Sequence, residues 1–237
     1  MLRARPLTTT RRGLSRTVST EVAAETVSSQ RIASALREKI LAGDYSPGER
    51  LLQDVVAEQF GTSRIPVREA FRILEAEGLT EVLPNRGARV PSLDLYEVHT
   101  YYRMRERLEP LTLAESIEHL SDAQLARMES VQEHIESGPD VGEFLALDRD
   151  FHMTSYAGCP SGQLLSTTVR LWNATQHYRR AFMQLTGGDR LTIVNAEHRL
   201  ILDACRRHDA EDGQRFLEAH IRRTRVALTS HPELFTG

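Results

Sequence analysis

The sequence has few cysteines, almost no lysine and no long apolar run, and each shortage narrows the chemistry available. Two cysteines in 237 residues, Cys159 and Cys205, make no disulfide framework and show no C-x-x-C spacing. They read as small core residues of a protein from a reducing, cytoplasmic compartment. No stretch of about 18 apolar residues exists, so no membrane-spanning helix and no membrane partner are expected. The first arginines are not followed by the apolar segment that a secretory signal needs. No H-E-x-x-H or comparable catalytic spacing occurs, which argues against an enzyme. Lys39 is the one lysine among 30 basic residues. Arginine forks suit phosphate and guanine edges, although a GC-rich genome gives the same bias.

Hydrophobic residues make up 40 % of the chain and charged residues 27 %. That excludes a fully disordered or collagen-like chain, and the length can bury a core without covalent staples. One or two domains are expected. The net charge of −3 is unevenly spread. Residues 1–20 contain Arg3, Arg5, Arg11, Arg12 and Arg16 and no acid. The segment 1–28 is therefore expected to be a disordered basic arm, either brushing phosphates or simply solvated. Acids and bases balance over residues 29–91, and acids dominate over 92–237. This asymmetry fits a DNA-facing N-terminal end and a different task for the remainder.

The hydrophobic period supports the same division. Ile32, Leu36, Ile40 and Leu41 recur at helical spacing before Gly43. A turn follows at Asp44-Tyr45-Ser46-Pro47-Gly48, then a short helix from about Gln53 to Phe60. Ser63 stands where an N-cap would, with Pro66 in the first turn and an apolar stripe of Val67, Ala70, Phe71 and Leu74. Two short strands, 79–83 and 88–91, flank the turn Pro84-Asn85-Arg86-Gly87. Three helices plus a hairpin is the order of a winged helix-turn-helix, expected over 29–91. From Leu93 onward the pattern predicts only helices, at about 94–119, 121–136, 141–157, 161–186, 189–207 and 210–230. The expected fold is mainly α: a winged helix-turn-helix followed by an antiparallel all-helical bundle over 92–237.

The third helix presents Arg64, Arg68 and Arg72 at i, i+4 and i+8, opposite its apolar stripe. In a helix-turn-helix the second helix of the pair enters the major groove N-terminus first. Arg64 and Arg68 then reach guanine edges or phosphates, and Ser63 with the helix start can take a phosphate. Arg86 and Arg89 in the hairpin lie toward the minor groove. An arginine face alone is equally a solvated helix face; the three-helix-plus-wing order tips the reading to DNA.

Four runs resemble the GntR family of bacterial transcription regulators: 41–51 (Leu-Ala-Gly-Asp-Tyr-Ser-Pro-Gly-Glu-Arg-Leu), 60–71 (Phe-Gly-Thr-Ser-Arg-Ile-Pro-Val-Arg-Glu-Ala-Phe), 74–79 and 86–90. The resemblance implies that Ser63, Arg64 and Arg68 contact the operator and that the wing tip at Gly87 approaches the minor groove. It also implies a homodimer reading a pseudo-palindromic site. Two features depart from the family pattern. Asp54 falls where some relatives carry an operator-contacting arginine, and Thr62 and Ile65 replace the usual valine and threonine.

In the helical half, Asp148 and His152 lie one turn apart on one helix face, as a chelate requires. The same spacing makes a plain helical Asp–His hydrogen bond. His198 and His220 sit on apolar stripes of two later helices and need polar partners there, a metal or a neighbouring side chain. Asp148-Arg-Asp-Phe-His152, Glu197-His198-Arg-Leu-Ile201 and Ala219-His220-Ile221 resemble the ligand-binding domain of the fatty-acid-regulator (FCD) branch of GntR proteins. The resemblance implies that Asp148, His152, His198 and His220 coordinate a divalent ion. Three imidazoles and one carboxylate suit Zn or Ni better than Mg or Ca. It also implies that Arg105 points into the cavity beside the metal, where it would clamp a small carboxylate effector bidentately. An internal salt bridge from Arg105 to Glu109 is the alternative. Asn173, and more weakly His177, are further candidates for the cavity wall. Glu197 faces about 100° away from His198 on an ideal helix and is not counted as its partner. The expected function is a carboxylate-responsive repressor. A regulator with a purely structural metal is the alternative, and a metalloenzyme a distant third.

Overall fold

The structure is a computed structural model that describes residues 14–84, 86–186 and 191–235, with side chains at position 26 and from 28 onward. The N-terminal half contains α1 (Leu14–Ala42), β1 (Arg50–Leu51), α2 (Gln53–Gln59), α3 (Arg64–Ala76), β2 (Glu81–Leu83) and β3 (Gly87–Arg89). Its strands form an antiparallel sheet in the order β1-β3-β2. The apolar stripes read from the sequence close on one core. Ile32, Leu36 and Ile40 of α1 meet Val67, Phe71 and Leu74 of α3, with Leu51 and Ala88 of the sheet beneath them. This is a winged helix-turn-helix.

The second half is entirely helical among its described residues: α4 (Leu95–Ile117), α5 (Asp122–Glu136), α6 (Val141–Tyr156), α7 (Gly162–Thr186), α8 (Leu191–Arg206) and α9 (Ala210–Thr229), then a short 3-10 turn Pro232–Phe235. Their starts follow capping chemistry. Asp94 and Ser121 complete capping boxes with Glu97 and Gln124, while Asp140 and Asp209 cap α6 and α9. The helices share a core that includes Tyr102, Leu113, Phe144, Phe151, Tyr156, Trp172, Ile201 and Leu217. Cys159 and Cys205 are free and buried. No helix among the described residues is long and apolar enough to cross a membrane.

Three elements differ from the sequence expectation. Helix α1 starts at Leu14, so residues 14–28 are helical rather than part of an irregular arm. That stretch has no glycine or proline, and Glu21-Val-Ala-Ala-Glu25 holds good helix formers. Residues 1–13 of the expected arm lie outside the described residues, as does Asn85 of the hairpin turn. Strand β1 and the 3-10 turn were not expected, because elements of two and four residues leave no periodic signal.

Helix α7 joins the two halves. Asn173 Nδ2 donates to the carbonyl of Glu77 at 2.8 Å, and Arg180 Nη2 donates to the carbonyl of Leu41 at 3.1 Å. Glu77 caps the C-terminus of α3 and Leu41 lies in the last turn of α1. Gly78 has φ +75°, and a Cβ there would lie 2.8 Å from the Arg170 carbonyl oxygen. Only glycine lets α3 end flush against the α7 backbone.

Candidate metal centre and nucleic-acid interface

Helix α6 presents Asp148 and His152, α8 presents His198 and α9 presents His220. One donor atom from each lies within 4.8 Å of every other, and all four side chains are buried. Four donors about 2.1 Å from one ion span up to about 4.2 Å, so a small contraction closes the shell.

The surroundings set the protonation of each imidazole. Gln132 Nε2 donates to Glu136 Oε1 (3.0 Å) and Asn195 Oδ1 (3.3 Å), which turns its carbonyl oxygen to His198 Nδ1 at 2.8 Å. His198 therefore carries its proton on Nδ1. His220 Nδ1 donates to Glu197 Oε2 at 2.8 Å. Tyr156 gives its hydroxyl proton to Glu109 Oε2 (2.7 Å), leaving its oxygen as acceptor for His152 Nδ1, 3.5 Å away. His198 Nε2 is left as a bare lone pair. Burial is the main reason His198 is held neutral, its pKa depressed to about 3, and burial likewise depresses His152.

Asp148 stays ionised. Burial opposes its charge, but the Arg179 guanidinium outweighs that and holds its pKa below the usual carboxylate range. Arg179 Nη1 donates to Oδ2 at 2.7 Å, leaving Oδ1 without a partner. Oδ1 lies 3.6 Å from His198 Nε2, which also has no partner. A carboxylate oxygen and a bare imidazole nitrogen thus face each other in a dry interior with no proton between them. Two buried acceptors in that arrangement repel. A divalent cation resolves the conflict, and imidazole with carboxylate is a donor set it accepts.

Beside this cluster is a cavity of about 10 Å³, lined by Tyr102, Arg105, His152, Trp172, Arg179, His220, Ile221 and Thr224. Arg105 lies between the cavity and Glu109. It lines the cavity, and its Nε edge is paired with Glu109 while Nη1 donates to Thr175 Oγ1 at 2.9 Å. Burial opposes the Arg105 charge, but Glu109 outweighs it and raises the pKa. The end-on Nη1/Nη2 edge keeps N–H donors beyond those bonds. Tyr102 Oη and Trp172 Nε1, on residues of the same wall, are buried without partners. The guanidiniums of Arg105, Arg149 and Arg179 lie 5.0, 5.5 and 4.8 Å from the Trp172 ring. The wall offers donors and positive charge, the complement of a small anion.

Asn173 does not join this wall. Trp172 faces the cavity and Asn173, one residue on and about 100° round the helix, faces Glu77. His177 likewise lies away from the metal cluster, in a cleft with Tyr45, Ser46 and Arg180. Gln132, Glu197, Glu109 and Arg179 were not identified as site residues from the sequence. Glu197 does not serve its neighbour His198, but reaches across to His220 on α9.

In the N-terminal half, Ser63, Arg64, Arg68 and Arg72 are exposed along α3. Ser63 occupies the N-cap position without a side-chain capping bond, so its hydroxyl and the helix start both face outward. Arg64 pairs with Asp54, Arg72 with Glu69 and Arg89 with Glu81. Arg68 and Arg86 are exposed and make no ion pair among the described residues. Gly87, expected at the wing tip, is buried at the start of β3 with φ +85°, and a Cβ there would overlap the Leu51 carbonyl oxygen. Glycine is needed for that backbone approach, and among the described residues of the turn Pro84 and Arg86 are exposed. Arg50, missed in the sequence, pairs across strands with Arg89. Arg50, Arg86 and Arg89 line one groove.

Residues 28–90 match the bacterial regulatory proteins of the gntR family, and residues 100–223 match the FCD domain. The chain is 28 % identical over 189 residues to the HTH-type transcriptional regulator YdhC of Bacillus subtilis, covering 78 % of this chain and 84 % of that one. It is 27 % identical over 210 residues to the HTH-type transcriptional repressor RspR of Escherichia coli, covering 86 % and 90 %. Among solved structures, Escherichia coli McbR/YncC shares the fold, with a TM-score of 0.73 at 24 % identity over 86 % of this chain and 98 % of that one. The chain is a DNA-binding transcriptional regulator of the GntR family, with an N-terminal winged helix-turn-helix and a C-terminal FCD domain.

Proposed function

We propose that this regulator is a homodimeric repressor whose grip on a pseudo-palindromic operator is released by a small carboxylate bound beside a divalent metal. The observation that carries this reading is the facing pair of unpartnered acceptors, Asp148 Oδ1 and His198 Nε2, next to a wall of donors. Asp148, His152, His198 and His220 would hold the ion, Zn or Ni by donor type, which supplies a fixed positive charge. The N–H donors that Arg105 keeps beyond its bonds to Glu109 and Thr175 would take the carboxylate, with Tyr102 and Trp172 as further donors.

The cavity of about 10 Å³ has room for roughly one water molecule, so a carboxylate can enter only if the wall opens. The groups that must shift are the guanidiniums packed on Trp172. Asn173, the next residue, holds the end of α3, while Arg149 sits over Trp172 and within the electrostatic reach of Glu77 and Arg37. Movement around Trp172 would thus reach the DNA-reading helix through α7 and shift the population between dimer geometries that fit the operator and those that do not.

The pairing of Arg105 with Glu109 favours a second reading, in which the metal is structural and no carboxylate binds. One experiment separates the two. Duplexes selected from a randomised library by the protein are bound by metal-loaded and chelated protein, and a panel of small carboxylic acids is titrated in. The effector reading expects one acid to release DNA only when metal is present. DNA binding indifferent to every acid, with a melting temperature that falls on chelation, supports the structural metal.

A further inference from the structure

Asp54 lies in the first turn of α2 and Arg64 is the first residue of α3. The Asp54 carboxylate takes the Nε and Nη2 edge of Arg64 with both oxygens, the Nη2 contact being 2.9 Å. Gln53 Nε2, on the residue before Asp54, donates to the Arg64 carbonyl at 2.6 Å. Both the guanidinium and the backbone of Arg64 are thus fixed from α2. The other exposed pair on α3, Arg72 with Glu69, is a single contact at 3.5 Å within one helix.

Stability does not account for an Asp54–Arg64 pair on a phosphate-facing surface. The side chains are 65 % and 71 % exposed, and an ion pair that open to solvent adds little to the fold. A carboxylate on a DNA-facing surface also weakens attraction to the backbone. What the pair does provide is geometry. With the Nε/Nη2 edge occupied, the guanidinium keeps its end-on Nη1–H and Nη2–H fork, the edge that matches O6 and N7 of guanine. An arginine held in this way is less free to swing to a phosphate. Arg68, one turn along and without an acidic partner, has that freedom.

We propose that Asp54 is a specificity-determining residue: it holds Arg64 as a guanine-reading fork and keeps it off the phosphates. This rests on the reading of α3 as the groove-entering helix.

The test uses the duplex that the wild-type protein selects from a randomised library, its single-base variants and random-sequence DNA, each at several salt concentrations. Wild-type protein is expected to disfavour loss of one guanine per half-site by about ten-fold or more. Asp54→Ala is expected to reduce that discrimination to under about three-fold and to bind random DNA several-fold tighter. Its dependence of log affinity on log salt steepens by about one unit per protomer. Arg64→Ala removes the guanine preference without the gain on random DNA. If Asp54→Ala keeps wild-type discrimination while Arg64→Ala loses it, the role of Asp54 is overturned and the reading of α3 stands. If Arg64→Ala changes nothing, the reading of α3 falls and the proposal with it.

Discussion

The DNA-reading surface and the wall of the buried Asp/His cluster use arginine in opposite ways. In the winged helix-turn-helix, Arg64, Arg72 and Arg89 keep 71, 60 and 49 % of their side chains exposed, and their acidic partners are exposed too. In the FCD domain, Arg105 and Arg179 keep 4 and 9 %, against partners with no exposure at all. An exposed pair exchanges its partner cheaply, because water replaces what is lost. A buried pair cannot, because removing either member strands a charge in a dry interior. The first is therefore built for exchangeable contacts with a polyanion. The second holds buried charge that any entering ligand or ion would have to rebalance.

Five variants probe this contrast, beginning with the most damaging. Glu109→Ala leaves the Arg105 guanidinium buried without its carboxylate and should cost about 3–5 kcal/mol in denaturant unfolding. Asp54→Ala, the matching deletion on the exposed side, should cost under about 1 kcal/mol in the same assay. Comparable losses from the two would break the comparison. Gly78→Ala forces a Cβ onto the Arg170 backbone at positive φ. It should destabilise the protein by about 1–3 kcal/mol, read as a lower melting temperature.

Asn173→Ala removes one hydrogen bond between the halves, with an expected cost of about 0.5–1.5 kcal/mol. Its sharper signature is functional: metal and carboxylate affinities stay as in wild type while carboxylate no longer releases DNA in a binding titration. Unchanged release would place the coupling elsewhere. Arg68→Ala should barely alter stability and should flatten the salt dependence of DNA binding by about one unit per protomer. A slope identical to wild type would remove Arg68 from the phosphate contacts.

Much of this was legible in the sequence, and the limits have physical causes. Long amphipathic helices announce themselves by period, so α4 to α9 were expected within about three residues of their observed ends. Asp148 and His152 are one turn apart, and helical geometry alone places them together. No spacing links them to His198 and His220; only the resemblance did. Partners supplied from another helix were invisible. Gln132 is one glutamine on α5, and nothing local marks it as the group that fixes the His198 tautomer. Glu197 was set aside as pointing away from His198, and that geometry is what lets it reach His220. Asn173 shows the same lesson in reverse: a residue adjacent to Trp172 in sequence faces the other domain. Gly87 was expected as a minor-groove contact, whereas its missing side chain is needed to seat β3 against Leu51. At α1 the basic composition suggested disorder, but the intrinsic helix preference of residues 14–28 prevailed.

The central claim is that the four buried side chains of the FCD domain form a cation site. The most direct measurement is the metal content per protomer of the purified protein by mass spectrometry, paired with melting curves in chelator and in added zinc. One transition-metal ion per protomer is expected, with a melting temperature lowered by chelator and restored by zinc, and loss of both effects in His198→Ala while the helical signature remains. Wild-type protein that carries no stoichiometric ion, and melts at the same temperature in chelator and in zinc, would contradict it.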